Sequence, residues 1–385
     1  MKTAPKGPGK TILIIAGEAS GDLHGGNLVR EMRSLDPELR FYGVGGQTMR
    51  SAGVDLIADI SDMAVVGITE VLGKLNRIYG VFRKLRESLV RSRPALVILI
   101  DYPDFNLLFA RAAHKKGIPV VYYISPQIWA WRKGRIRTIK RLVKKMLVIF
   151  PFEKTFYQRA HVDVEFVGHP LLDSVDPRMS RKAACEQFSL DPDATTIGLL
   201  PGSRMSEIRR HLPPLLKAIP LIARQIHPVQ FILPVAPGLN RKEIEAMVEH
   251  RDTTIRIVDN AIYEAMQFAD TLLVASGTAT VEAAIVGTPM VVLYRVSPLT
   301  YLLGKFLIKI KNIGMVNIIA GKTVVPELVQ KDVNPETIAG TVVRIIESPS
   351  LRADMKKELA SVRRKLGDPG ASRRAARIIA NLCSR

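Results

Sequence analysis

The chain reads as an α/β protein made of two parallel-sheet domains facing one cleft, and three observations predict this. Short continuous runs of Val, Ile and Leu recur through both halves of the sequence. Strands that are apolar on both sides must be covered on both faces, as parallel strands are. Segments of helical periodicity separate the runs, which makes them βα units. At 385 residues, the chain is also longer than one core usually organises, so two domains are expected.

Thr11 to Ala16 is the first buried strand, and Gly17-Glu18-Ala19-Ser20-Gly21-Asp22 turns it into a helix bearing Leu28, Val29 and Met32. These glycines lack the GxGxxG spacing, and no acidic residue follows a second strand at the required distance, so a nicotinamide dinucleotide is set aside. Residues 41–44 with Gly45-Gly46, 95–100 ending at Asp101, and 120–124 ending at Ser125-Pro126 continue the series. Ligands of such sheets bind beyond the carboxyl ends of the strands, which gathers Glu18, Ser20, Asp22, Asp101, Asp104 and Gln127 on one rim. Gly168-His169-Pro170 and residues 173–177 replace periodic apolar residues with turn formers, and the link between domains is expected there. A second series runs through residues 197–200, 231–235, 255–258, 271–275 and 290–293. Beyond Pro335 the chain is helical and increasingly basic. The expected division is 1–172, 173–360, and a basic helical segment over 361–385 placed against the first domain.

Two glycine-bearing turns stand out in the second series. Leu199-Leu200-Pro201-Gly202-Ser203-Arg204 passes from strand to helix, where glycine permits a tight turn and close backbone approach. Unpaired N–H groups and the macrodipole at the helix start favour an anion. Gly and Ser also serve at such turns with no ligand at all. Ala275-Ser276-Gly277-Thr278 repeats the arrangement, with Glu282 one turn inside the helix. Two helix N-termini make a diphosphate cradle, with Glu282 able to accept from ribose hydroxyls further along the ligand. A Ser or Thr ahead of a Glu is equally a capping pattern.

A formal net charge of +20 calls for anionic partners: nucleic acid, an acidic membrane face or phosphorylated substrates. Trp129 and Trp131 lie beside Arg132, Lys133 and Arg135, but no RNA-module strand accompanies them, so nucleic acid is not expected. Cys185 and Cys383 are far apart and outside any CxxC spacing, which argues against a disulfide framework or zinc and suits a reducing cytosol. Asp191-Pro192-Asp193 imitates a metal-binding DxD motif but precedes the second domain's first strand. The apolar run behind the N-terminus is too short for a signal peptide, and no stretch reaches the roughly 18 apolar residues of a spanning helix. A cytosolic chain with at most peripheral membrane contact is expected.

GEASGD at residues 17–22, IDYPDFN at 100–106, SPQIWAWR at 125–132, PFEKTFY at 151–157, LPGSR and SGTATVE occur in one order, and together they resemble the lipid-A-disaccharide synthase family from about Thr11 to beyond Leu328. The resemblance implies a GT-B glycosyltransferase whose second domain binds most of the nucleotide sugar. It implies an inverting transfer of diacylglucosamine from UDP-diacylglucosamine to diacylglucosamine 1-phosphate, with UDP released. It further implies a place on the cytoplasmic face of the inner membrane, no cofactor and no metal. Asp101 becomes the important carboxylate, with Glu18 and Asp104 beside it. Gly202, Ser203, Arg204, Ser276, Gly277, Thr278, Glu282 and Asn317 are expected around UDP. Another GT-B enzyme acting on UDP-N-acetylglucosamine, a peptidoglycan transferase or an epimerase, is the alternative, although these lack the IDYPDFN and SPQIWAWR runs. Oligomeric state stays open.

Met63, Val65, Val66, Ile68, Val71, Leu72, Leu75, Ile78 and Phe82 follow helical spacing, with Lys74, Arg77, Arg83, Lys84 and Arg86 nearby. Residues 299–313 likewise set Leu302, Phe306 and Ile310 against Lys305, Lys309 and Lys311. Such helices either pack on a core or rest on an anionic membrane surface. With acyl-chain substrates, Val66, Ile68, Leu72, Leu75 and Phe306 are expected to face lipid.

Overall fold

The computed structural model describes residues 11–62, 68–131, 133–175, 179–249, 255–297, 301 and 312–383. The chain divides into two compact units, one of residues 1–170 with 366–385, the other of residues 171–365. Among the described residues, no helix is long and apolar enough to cross a membrane.

In the first unit the strands are β1 (Thr11–Ala16), β2 (Arg40–Gly45), β3 (Val54–Asp59), β4 (Leu96–Ile100), β5 (Val120–Tyr123), β6 (Lys145–Val148) and β7 (Val164–Phe166). They form one parallel sheet in the order β3-β2-β1-β4-β5-β6-β7. Helices α1 (Ala19–Leu35), α2 (Gln47–Ser51), α3 (Ile68–Arg91), α4 (Pro103–His114), α5 (Ile128–Trp131), α6 (Ile136–Leu142) and α7 (Pro151–Gln158) connect them. The continuous apolar runs have the reason expected of them: Ile12, Leu13, Ile14 and Ile15 in β1, and all of β4, are 0% exposed.

The second unit holds β8 (Thr195–Leu200), β9 (Val229–Val235), β10 (Ile255–Asp259), β11 (Thr271–Ala275), β12 (Met290–Tyr294) and β13 (Glu327–Val329). Their order, β10-β9-β8-β11-β12-β13, is again parallel throughout. Its helices are α8 (Arg181–Phe188), α9 (Met205–Ala223), α10 (Arg241–Val248), α11 (Ile262–Phe268), α12 (Ala279–Val286), α13 (Met315–Ala320), α14 (Pro335–Glu347) and α15 (Pro349–Lys365). From Leu366 the chain returns to the first unit, where α16 (Ala371–Cys383) packs on α1.

Four strands are additional to those read from the sequence. β7 and β13 are three-residue edge strands, β6 has four residues, and β3 is an edge strand whose two aspartates break the apolar run. α9 continues through Pro213, Pro214 and Pro220, which ordinarily break a helix. Its buried face of Ile208, Leu212, Leu215, Leu216, Ile219 and Ile222 supplies the compensation, at about 1.5–3 kcal/mol for each large apolar side chain.

Asp22, placed on the candidate rim from the sequence, is instead 5% exposed and accepts three backbone N–H groups. They come from Gly46 at 2.6 Å, Thr48 at 2.9 Å and Met49 at 3.0 Å. A charge on α1 thereby satisfies the orphan donors at the start of α2. Asp22→Ala is expected to lower the stability of the first unit by about 2–3 kcal/mol, read as an earlier denaturant midpoint for that unit.

Candidate active site

In the first unit the chain leaves β1 toward β2 on one side and returns to β4 on the other, so the loops after β1 and β4 flank the topological switch point where such sheets bind ligands. Glu18 is the exposed residue preceding α1. Asp101 follows β4 with φ +44, and Tyr102 follows it with φ +47, two consecutive left-handed residues without glycine. Two buried side chains hold them there. Tyr122 donates its hydroxyl to the Asp101 carbonyl at 2.6 Å, and Asn106 Nδ2 donates to the same carbonyl at 2.7 Å and to that of Ile100 at 3.1 Å. Burial pushes the Asp101 carboxyl up to about 6, and the charge of Glu18 adds to the rise, while a backbone hydrogen bond at Tyr102 opposes it.

Asp104 differs in every respect. It lies exposed in the first turn of α4 and pairs with Arg135. The two carboxylates of IDYPDFN therefore divide into a desolvated one and a paired, solvated one. His24 and His169 are neutral, lowered by burial to about 4 and about 3, and the Nδ1 of His24 has no partner among the described residues.

In the second unit the two glycine-bearing turns are neighbours, because β8 pairs with β11, Leu200 opposite Val274. Gly202 has φ +141, and a side chain there would collide with Glu207, so the fold itself requires glycine. Glu207 folds back to accept the Ser203 N–H at 2.9 Å and pairs with Arg204 at 3.3 Å. The Arg204 side chain is 68% exposed. His211, buried in α9, bridges two loops: Nδ1 lies 3.0 Å from the Pro201 carbonyl, and Nε2 accepts the Arg295 N–H at 3.1 Å. Those partners set the tautomer, with the proton on Nδ1.

At the second turn the capping alternative is not realised. Thr278 makes no capping bond, Ser276 Oγ donates to the Ile313 carbonyl at 3.3 Å, and Thr280 donates to the Gly277 carbonyl at 2.8 Å. A side chain added at Gly277 would meet none of the described residues within 4 Å, and its φ lies outside the left-handed region, so the described residues place no demand for glycine here. Glu282 is pushed above the usual carboxylate range by burial, although the Tyr263 hydroxyl donates to it at 3.1 Å.

Asn317 departs from the expectation of direct nucleotide contact. It is 0% exposed. Its amide donates to the Val325 carbonyl at 2.9 Å and to Glu327 at 2.7 Å, and its carbonyl accepts the N–H groups of Val324 at 2.7 Å and Val325 at 3.1 Å. Both donors and both acceptor positions are committed within the protein, so the side chain shapes the loop instead of reaching from it. Glu327 extends the clasp by accepting from Ile313 and Gly314.

Val66 and Phe306 lie outside the described residues, as do the side chains of Ile68, Leu72 and Leu75. Further along α3, Val81, Leu85 and Leu89 are buried, and Ile78 and Phe82 pack against them, so core packing holds for that half. Tyr79, on the same helix, is 68% exposed. Among the described residues no group of three or more His, Cys, Asp or Glu is placed to hold a metal. Asp191 instead accepts the Asp193 N–H at 2.9 Å in an exposed turn. Glu153, His211, Tyr122 and Asn106 escaped sequence reasoning, because their partners lie on other elements.

The lipid-A-disaccharide synthetase family model matches residues 12–381. A lipid-A-disaccharide synthase of Syntrophus aciditrophicus is 53% identical over 95% of this chain and 96% of its own, and one of Geobacter sulfurreducens is 48% identical over 96% of each. Among solved structures, a UDP-GlcNAc 2-epimerase from Neisseria meningitidis bound to UDP-GlcNAc superposes with TM-score 0.65 at 14% identity, covering 97% of this chain and 100% of that one. The calicheamicin glycosyltransferase CalG4 superposes with TM-score 0.63 at 16% identity, covering 98% and 99%. Likeness at such identity shows the fold alone, whereas the family match spans nearly the whole sequence. The chain belongs to the lipid-A-disaccharide synthase family, hexosyltransferases of lipid A biosynthesis with the GT-B fold.

Proposed function

We propose that the chain joins diacylglucosamine from UDP-diacylglucosamine to diacylglucosamine 1-phosphate with inversion, and that Asp101 is the general base. The observation that carries this reading is the raised proton affinity of Asp101 at the switch point. The acceptor hydroxyl oxygen forms a bond to the anomeric carbon, its proton passes to the Asp101 carboxylate, and the bond from that carbon to the β-phosphate oxygen breaks as UDP departs. A base with a pKa near 6 is ionised at neutral pH yet binds a proton more readily than an ordinary aspartate. Glu18 acts by keeping that affinity high, and Asp104 has its charge already matched by Arg135.

In the second unit, the turns of Gly202-Ser203 and Ser276-Gly277-Thr278 receive the diphosphate. Support comes from their adjacency and from a glycine, Gly277, that none of the described residues requires. Arg204 neutralises charge building on departing UDP through its planar fork. Glu282 serves the ribose hydroxyls, and Asn317 shapes the loop near them. The first part of α3, with Ile68, Leu72 and Leu75, together with Val66 and Phe306, rests on anionic lipid at the cytoplasmic face of the inner membrane. The exposed Tyr79 among basic residues of α3 supports that placement.

Four measurements check this reading. The ratio kcat/KM should rise with pH through about 6 and level off above it, because Asp101 of the free enzyme must be ionised to accept a proton. Asp101→Asn should cost about 100-fold or more in kcat while leaving the first unit at least as stable at neutral pH, since it removes a desolvated charge. Asp104→Asn should retain most activity. Arg204→Ala should lower turnover by about 100-fold, with Arg204→Lys rescuing only in part for want of a bidentate fork. Near-normal turnover of the Ala variant returns that turn to an ordinary strand-to-helix connection. Leu72→Ser with Leu75→Ser should weaken binding to vesicles containing anionic phospholipid, and unchanged binding by a folded double variant removes the membrane assignment.

A further inference from the structure

The motifs SPQIWAWR and PFEKTFY have no part in the chemistry above, yet buried polar contacts tie them together. Glu153, in the first turn of α7, is 1% exposed. One of its oxygens accepts the Trp129 indole N–H at 3.1 Å, the other accepts the Phe150 N–H at 3.3 Å, and the carboxyl also hydrogen-bonds with Ser125. Ser125 Oγ in turn lies 2.8 Å from the Tyr157 hydroxyl. The Trp129 ring, 9% exposed, meets Phe152 edge-on with centroids 4.9 Å apart.

This network encloses the turn after β5. That turn contains Ile124 at φ +65, a conformation that β-branched residues avoid. Backbone in such a state persists only where its surroundings over-determine it. The Ile124 carbonyl accepts the Asp101 N–H at 3.3 Å, and Tyr122, two residues earlier, holds the Asp101 carbonyl. The strained turn is therefore one of the supports of the Asp101 turn.

We propose that Glu153, together with Trp129, is a positioning residue of the transferase: it clamps the turn between β5 and α5 so that Ile124 and Tyr122 keep Asp101 in place. The inference rests on Asp101 being the base. Burial pushes the Glu153 carboxyl up to about 8 against the hydrogen bonds that favour its charge, so in neutral solution it is an uncharged acid. A glutamine offers the same volume, an acceptor for Trp129 and a donor for Ser125, and gives up only the acceptor for the Phe150 N–H. A methionine keeps the volume and loses every polar contact.

The test is steady-state transfer kinetics on the full-length chain, with UDP affinity measured separately by calorimetry. Trp129→Phe and Glu153→Met should each lower kcat by about 10- to 100-fold, the scale of a slightly misplaced catalytic group, with UDP affinity unchanged. Glu153→Gln should retain most of the turnover. Backbone amides over residues 124–128 should exchange faster in the two damaging variants. Wild-type kcat in both Trp129→Phe and Glu153→Met overturns the proposal, and so does a loss of kcat that only follows a loss of UDP affinity. Near-normal kcat in Asp101→Asn refutes the Asp101 reading itself, a result distinguishable from failure of the Glu153 clamp.

Discussion

The carbonyl oxygen of Asp101 collects hydrogen bonds from Tyr122 and Asn106, two side chains wholly shielded from water, and the rim of the first unit depends on that pair. Left-handed backbone costs roughly 1–2 kcal/mol per residue without glycine, and each net hydrogen bond returns about 0.5–1.5 kcal/mol. The two effects are of the same size, so the turn stands because its carbonyl is doubly held. What the turn achieves is placement. It ends β4 abruptly and starts α4 at once, leaving Asp101 desolvated beside the charge of Glu18. A free loop at that position would let water in and return the carboxyl to its ordinary range.

The second unit solves a different electrostatic problem. Its first glycine turn presents a helix N-terminus, and Glu207 from the same helix already covers the Ser203 N–H and faces Arg204. Under the proposed reading, a diphosphate bound there would replace one anion by another, so the local donors would have a partner in either state. His211 supplies stiffness from beneath, joining the Pro201 carbonyl to the backbone after β12. The Asn317–Glu327 clasp does the same for the loops around Ile313 and Val325. Buried polar groups in this unit act as ties between loops, and the groups left exposed, Arg204 foremost, are those with freedom to meet a ligand.

Sequence reading found what is local. Continuous apolar runs located the long central strands, and the switch-point rule drew attention to Glu18 and Asp101. Edge strands β7 and β13 escaped because three residues carry no period, and β3 because Asp55 and Asp59 interrupt its apolar pattern. The run at residues 120–124 looked like one strand, but Ile124 leaves it in a left-handed turn, which no propensity foretells for isoleucine. Asp22 looked like a rim carboxylate and proved to be a clamp on α2, because its three donors come from a different βα unit. Asn317 looked like a ligand contact and is saturated inside the protein.

By itself the sequence determined the parallel α/β architecture, the two glycine turns and the order of motifs that marks the family, since each follows from residues adjacent along the chain. Tertiary structure decided which polar side chains are available for chemistry and which are consumed as ties. Asp101 and Asp104 are three residues apart in one motif, yet the first is desolvated beside another carboxylate and the second is exposed and paired with Arg135. Glu153 and Trp129 belong to separate motifs and share one buried hydrogen bond. Proton affinity and hydrogen-bond saturation are set by neighbours in space, and those neighbours come from elements far apart in the chain.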